Sequence, residues 1–176
     1  MANYNVNDKN TREYQENLYR GSRYNLLVVL IFTVINLVML LVGSGSYFLF
    51  SASIPYYLTV FGYMFDNYTV GTFTLTALVI AAAILTVYLV CWILSKKRSG
   101  WIIVALVLFA VDTLAMLGMM FLSGTGIAAW IMDIVFHAWV IISLSRGLVA
   151  ASKLKTMPET TEMPIPPQYT GPDLDA

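Results

Sequence analysis

The sequence predicts an all-α integral membrane protein: an antiparallel bundle of four transmembrane helices, with the N- and C-termini cytoplasmic. Three observations predict it. The 176 residues are 59% hydrophobic and only 11% charged, far below the roughly 25% charge of a soluble domain. The apolar residues gather into four runs, each near the about 20 residues that a helix needs to cross the hydrocarbon core. All 10 basic residues fall outside the first and third connections, so four crossings collect every positive charge on one side, as the positive-inside tendency requires.

In chain order, residues 1–23 form a cytoplasmic N-terminal segment carrying Lys9, Arg12, Arg20 and Arg23. It opens on a long polar stretch and lacks the short basic region, brief apolar core and small-residue cleavage site of a secretory signal, so the first apolar run is expected to stay as a span. Tyr14, Leu18 and Tyr19 give the segment a weak apolar face, enough for a surface helix before Tyr24. The transmembrane domain covers 24–152. Its first span is 25–46, "NLLVVLIFTVINLVMLLV" continuing through "GSGS" toward "YFLF". Spans at 71–94, 101–122 and 127–149 follow. "SKKRSG", with Lys96, Lys97 and Arg98, and "SGTG" are short connections that force the last three spans to be antiparallel neighbours. Arg146, Lys153 and Lys155 close the last span, and 153–176, rich in Pro, Thr and acids, is expected to be a disordered cytoplasmic tail.

The first connection differs from the others. "SASIPYYLTVFGYMFDNYTV" carries Tyr56, Tyr57, Phe61, Tyr63, Phe65 and Tyr68. Rings with a polar tip favour the headgroup layer, so 51–69 reads as an outer interfacial element, a short helix opened by Ser53 and Pro55; a lid over a ligand is the alternative. In the second span Ala77, Ala81, Ala82, Ala83 and Thr86, and in the third Ala105, Ala115 and Gly118, are small residues at three- and four-residue spacing. They are expected to be interhelix contacts. No internal or inverted repeat is visible, so a transporter built on internal symmetry would need dimerisation.

Three ionisable groups interrupt the spans: Asp112 in the third, Asp133 and His137 in the fourth. Each costs on the order of 3 kcal/mol near the bilayer centre, so each is expected to face the bundle and find a partner. Counted outward from the turn near Ser123, Asp112 and His137 sit at nearly the same depth at about 1.5 Å per residue, so they can face each other. Asp133 lies one turn nearer the outer side on the face of His137. Asn36 of the first span can add a hydrogen bond. The plain reading of this candidate intramembrane polar centre is a pin that fixes helix register; the alternatives are a proton-responsive centre and a sparse metal site.

Other signals are weaker. Cys91 is the single cysteine, so no intramolecular disulfide and no multi-cysteine motif is available. "PPQY", with Pro166, Pro167 and Tyr169, has the form of a WW-domain ligand, and "NYT" at 67–69 that of a glycan acceptor. No nucleophile has a base at suitable spacing and no Gly-rich phosphate loop is present, which disfavours an enzyme. No cofactor or metal is expected, and the basic surface is too small for nucleic acid.

"YFLFSASIPYYLTVFG" after the first span and "DIVFHAWVIISLSRGLVA" in the fourth resemble a group of small, uncharacterised four-span integral membrane proteins of Gram-positive bacteria. The resemblance covers most of the membrane region and implies a bacterial inner-membrane location. It lends no catalytic residue, because the motifs of that group have no assigned chemistry. Small multidrug exporters place an essential carboxylate in their first helix, where this chain has Asn36. The expected role is a non-enzymatic accessory or structural component of the cell membrane, with the lipid bilayer around it and a homo-oligomer or another membrane protein as partner. A small proton-responsive transporter or channel subunit using Asp112 and His137, and a membrane adaptor acting through its Pro-rich tail, are the alternatives.

Overall fold

A computed structural model of the chain describes residues 11–158, apart from 45, 46 and 49. The described residues form five α-helices and no strand: α1 (Arg12–Leu41), α2 (Ser53–Phe65), α3 (Thr72–Leu94), α4 (Gly100–Ser123) and α5 (Ile131–Leu154), with a 3-10 turn at Ile127–Ala129 before α5. Helices α1, α3, α4 and α5 are each long and apolar enough to cross a membrane, so the chain is a multi-pass membrane protein. Their outer faces expose Val38, Val79, Val107, Leu114 and Ile142, the surface that lipid would cover.

Helix α1 corrects the sequence reading at both ends. It starts at Arg12, where the Thr11 hydroxyl accepts the Tyr14 N–H at 3.3 Å, so 12–23 is continuous with the first span and not a separate segment. It stops at Leu41 and does not run on toward "YFLF". The stop is a Schellman motif: Gly43 takes φ +71°, its N–H reaches the Leu40 carbonyl, and the Ser44 N–H reaches the Met39 carbonyl. A glycine meets that left-handed angle without a Cβ penalty. The last span is likewise displaced, beginning at Ile131 and continuing through Lys153 and Leu154. Most of the expected tail, including Pro166, Pro167 and Tyr169, lies outside the described residues.

Packing is tightest where small residues let helices approach. Helix α1 lies along α5, and a Cβ added at Gly147 would overlap the Ser22 side chain. Helix α2 lies along α3, and a Cβ at Gly62 would stand 2.8 Å from the Phe73 carbonyl oxygen. Helix α4 touches both α3 and α5, as its short connections require. Ala77, Ala81 and Ala105 are buried in these contacts, whereas Ala82, Ala83 and Thr86 are exposed and Gly118 has nothing near its Cβ position. The small-residue reading is therefore corrected for those four, none of which is buried between helices. The core is apolar, built on Leu26, Val29, Tyr88, Ile102, Phe109, Phe136, Val140 and Leu144.

The two ends of the bundle differ. At the basic end Arg23 donates from Nε to the Ser95 hydroxyl at 2.9 Å and from Nη2 to the Trp92 carbonyl at 3.1 Å, tying α1 to the last turn of α3. The far end carries the connections after α1, α2 and α4. Across the second of these, the Asp66 carboxylate accepts the N–H groups of Gly71, Phe73 and Thr74 and the Thr74 hydroxyl, which closes the N-terminus of α3.

Residues 51–69 differ from the surface-lying element that the aromatic content suggests. The chain leaves α1 at Val42 and turns back along it. The Ala52 N–H then meets the Thr33 hydroxyl at 2.7 Å, just over two turns, or about 12 Å, below the end of α1. Helix α2 therefore starts inside the bundle, with Ser51, Ala52 and Ser53 almost fully buried, and climbs outward until Phe65 is 72% exposed. It is a re-entrant half-helix. Irregular backbone at such depth is tolerated only where protein surrounds it and satisfies its polar groups.

Candidate functional site

The start of α2 poses a hydrogen-bonding problem. The first N–H groups of a helix have no partner within it, and away from water each costs roughly 1–3 kcal/mol if left bare. Ala52, the N-cap, has no side chain that can help. Each donor nonetheless finds an acceptor. The Ala52 N–H goes to Thr33, the Ser53 N–H to Asp112 Oδ2 at 2.8 Å, and the Ile54 N–H to Asp112 Oδ1 at 2.7 Å. Pro55 has no N–H to satisfy. Asp112, midway along α4, is thus the cap of a helix 58 or 59 residues away in the chain, and its negative charge meets the positive end of the α2 dipole.

His137, in the second turn of α5, completes the arrangement. Its Nε2 lies 3.2 Å from Asp112 Oδ2 and 3.3 Å from the Ser53 hydroxyl, and its Nδ1 lies 2.8 Å from the backbone carbonyl of Asp133. A carbonyl can only accept, so Nδ1 carries a hydrogen. Nε2 thus faces two oxygens, one of the Asp112 carboxyl group and one of the Ser53 hydroxyl. Asp112 and His137 together form a buried pair with 2% and 1% of their side-chain surface exposed, an ion pair when the imidazole is protonated. The imidazole stacks on Phe109, with centroids 5.0 Å apart and planes 21° apart, which fixes the plane of the ring.

The structure therefore brings Asp112 and His137 together, as matched depth suggests, and separates the other two residues from that contact. Asn36 serves the re-entrant chain instead. Its Nδ2 donates to the Phe48 carbonyl and the Ser51 hydroxyl, both at 2.7 Å, and its Oδ1 accepts the Phe48 N–H at 2.8 Å. Asp133 contributes its backbone carbonyl to His137, while its carboxylate Oδ1 is buried without any hydrogen-bond partner. Among the described residues no three His, Cys, Asp or Glu side chains converge as a metal-binding group, so the Asp112, Asp133 and His137 set does not come together as ligands. Sequence reasoning missed Thr33, Ser51 and the Ser53 and Ile54 amides; Pro55, which marks the first turn of a helix, was the available signal.

Other concavities lie elsewhere. A surface cavity of about 680 Å³ at the basic end is lined by Arg12, Lys96, Lys97, Arg98 and Lys155, charges that sidedness already explains. No known protein family, no curated protein and no solved structure matches the chain.

Proposed function

We propose that the protein is a non-enzymatic structural or accessory component of a cell membrane, in which the Asp112–His137 pair clamps a re-entrant half-helix into a four-span bundle. One observation carries this reading: both oxygens of Asp112 and both ring nitrogens of His137 are engaged by the protein's own groups, which leaves no face of the pair turned toward a substrate. The basic end is the cytoplasmic side, supported by the distribution of Lys and Arg, so both termini are cytoplasmic. The resemblance of "YFLFSASIPYYLTVFG" and "DIVFHAWVIISLSRGLVA" supports the inner membrane of a bacterium as the setting. Its partners are lipid and a second membrane-embedded chain, either a copy of itself or another protein, and not nucleic acid.

The test is reconstitution into liposomes under an imposed pH gradient, alongside mild-detergent purification from native membranes. The clamp reading expects no proton flux above protein-free vesicles and a co-purifying membrane component. Flux that Asp112→Asn abolishes would sink it and establish the second reading, a proton-responsive transporter or channel subunit. That second reading has one observation in its favour, the buried carboxyl oxygen Oδ1 of Asp133, without a hydrogen-bond partner and one turn from His137.

A further inference from the structure

At the basic end the helices stop at different heights. Arg23 of α1 is bonded to Ser95, the C-cap of α3, whereas α1 begins at Arg12, three turns or about 16 Å farther out. The end of α5 stays beside it, and Arg12 Nη1 meets the Met157 and Pro158 carbonyls just beyond that helix, both at 3.3 Å. The connection between α3 and α4 lies in the corner left by this step, and the cavity of about 680 Å³ is the space between them. Its volume is within the range of about 300–1,000 Å³ that holds small ligands. Its base is fixed, because the Ser95 carbonyl accepts the Tyr19 hydroxyl and the Ser95 hydroxyl accepts Arg23 Nε.

Five cationic side chains from three parts of the chain line this space: Arg12 from α1, Lys96, Lys97 and Arg98 from the connection, and Lys155 from the end of α5. No carboxylate lines it. Among the described residues Arg12 is paired with Glu16 at 2.8 Å, while Lys96, Lys97, Arg98 and Lys155 are exposed and make no ion pair. Sidedness accounts for the sign of these charges but not for their convergence on one concavity, where like charges repel unless an anion joins them. Helix ends do not decide the matter, since α4 presents its N-terminus here and α3 and α5 their C-termini. Guanidinium forks and ammonium groups together suit phosphate oxygens. A second cavity, of about 260 Å³, shares Lys96 and is walled by Arg20, Arg23, Tyr24 and Trp92. Tyr24 and Trp92 stand at the ends of the apolar runs of α1 and α3, where rings with a polar tip take the level of lipid headgroups.

We infer that the step at the basic end is a binding site for the phosphate headgroup of an anionic phospholipid, with Arg12, Lys97, Arg98 and Lys155 around the phosphate and Lys96 joining it to the ring-lined cavity beside it. Basic pockets at the ends of spans recognise headgroups of this kind. A soluble phosphate ester offers the same oxygens; the lipid is the favoured source because Tyr24 and Trp92 set the adjoining cavity at headgroup level. The site does not depend on the clamp reading, since neither Asp112 nor His137 lines either cavity.

The experiment titrates the delipidated full chain, in a non-ionic maltoside detergent at constant ionic strength, with dihexanoyl phosphatidylglycerol, dihexanoyl phosphatidylcholine or glycerol phosphate, following tryptophan emission and the thermal midpoint. Wild type should bind the phosphatidylglycerol saturably, at least about tenfold more tightly than the other two, and melt at a higher temperature as it is added. The double variant Lys97→Gln with Arg98→Gln should weaken that binding by at least about tenfold. Arg146→Gln with Lys153→Gln, which removes the same charge from outside both cavities, should change it by less than about threefold. No saturable response, equal binding of the two lipids, or equal weakening by the two double variants overturns the proposal. Glycerol phosphate bound as tightly as the lipid assigns the cavity to a soluble phosphate ester and overturns the lipid reading. Lys97 and Arg98 also help to set orientation, so should their double variant fail to insert, Arg12→Gln with Lys155→Gln decides: weakened binding supports the site, and unchanged affinity overturns it.

Discussion

Asp66 and Asp112 each cap a helix to which they do not belong, and α2 stands between them, with Asp112 at its N-terminus and Asp66 at its C-cap. Asp66 sits at the far surface, half-exposed, and takes three backbone N–H groups and one hydroxyl at the start of α3. Asp112 takes two N–H groups at the start of α2 inside the bundle and in addition has the His137 imidazole as a partner. The difference shows what burial adds to one capping interaction. At the surface, water solvates whatever the helix leaves bare, so N–H donors suffice. In the interior no water shares the charge, and an ion whose partner is removed costs several kcal/mol.

That contrast can be tested by removing its parts. The largest effect is expected from Asp112→Asn, whose amide presents a donor to an N–H of α2 and strips His137 of its partner. Loss of one member of a buried pair should destabilise by about 3 to 5 kcal/mol, read as a fall in thermal midpoint and as fast amide exchange across the first turns of α2. Thr33→Val comes next. It keeps the shape of the side chain but leaves the Ala52 N–H unpaired, at a cost of about 1 to 3 kcal/mol, with exchange accelerated at the same helix end.

Asp66→Asn should cost less than either, and its effect should depend on acid. Partial desolvation pushes the Asp66 carboxyl up, but the bonds from Thr74, Phe73 and Gly71 together outweigh it and hold the group below its ordinary value of 3.8. A carboxyl lowered in the folded state contributes its stability above the unfolded value and loses it as pH falls through the folded one. The wild-type α2–α3 hairpin should therefore loosen below about pH 4, and Asp66→Asn should flatten that response; an unchanged acid profile in the variant would assign the loosening to another group. The smallest effect on stability is expected from Asp133→Asn. It removes no hydrogen bond from Oδ1 and should leave the midpoint unchanged or raise it, in contrast to Asp112→Asn measured the same way.

Much of the bundle was legible because hydropathy and charge are local properties. Four spans, short connections between the last three and the collection of Lys and Arg at one end follow from composition alone. The facing of Asp112 and His137 was also legible, because depth can be counted outward from the turn that joins α4 to α5. The re-entrant course of α2 was not. Tyr56, Tyr57 and Tyr63 have the same composition whether a helix lies in the headgroup layer or climbs out of the core, and Ala52 gives no local sign of a cap supplied from α4. From sequence Asn36 points to the pair, because a continuous first span places nothing else beside it. Gly43 ends that helix early and brings Phe48 and Ser51 to Asn36 instead. The isolation of the Asp133 carboxylate depends on which atom of the residue His137 chooses, a detail that spacing cannot supply.

The central claim is that Asp112 and His137 act as one unit that holds α2 in place. The measurement that tests it most directly is thermal unfolding in detergent of wild type, Asp112→Asn, His137→Gln and the double variant. A shared clamp predicts that each single change destabilises strongly and that the double costs little more than either alone. Two additive losses, or single variants as stable as wild type, would contradict it and leave α2 held by its packing on α3.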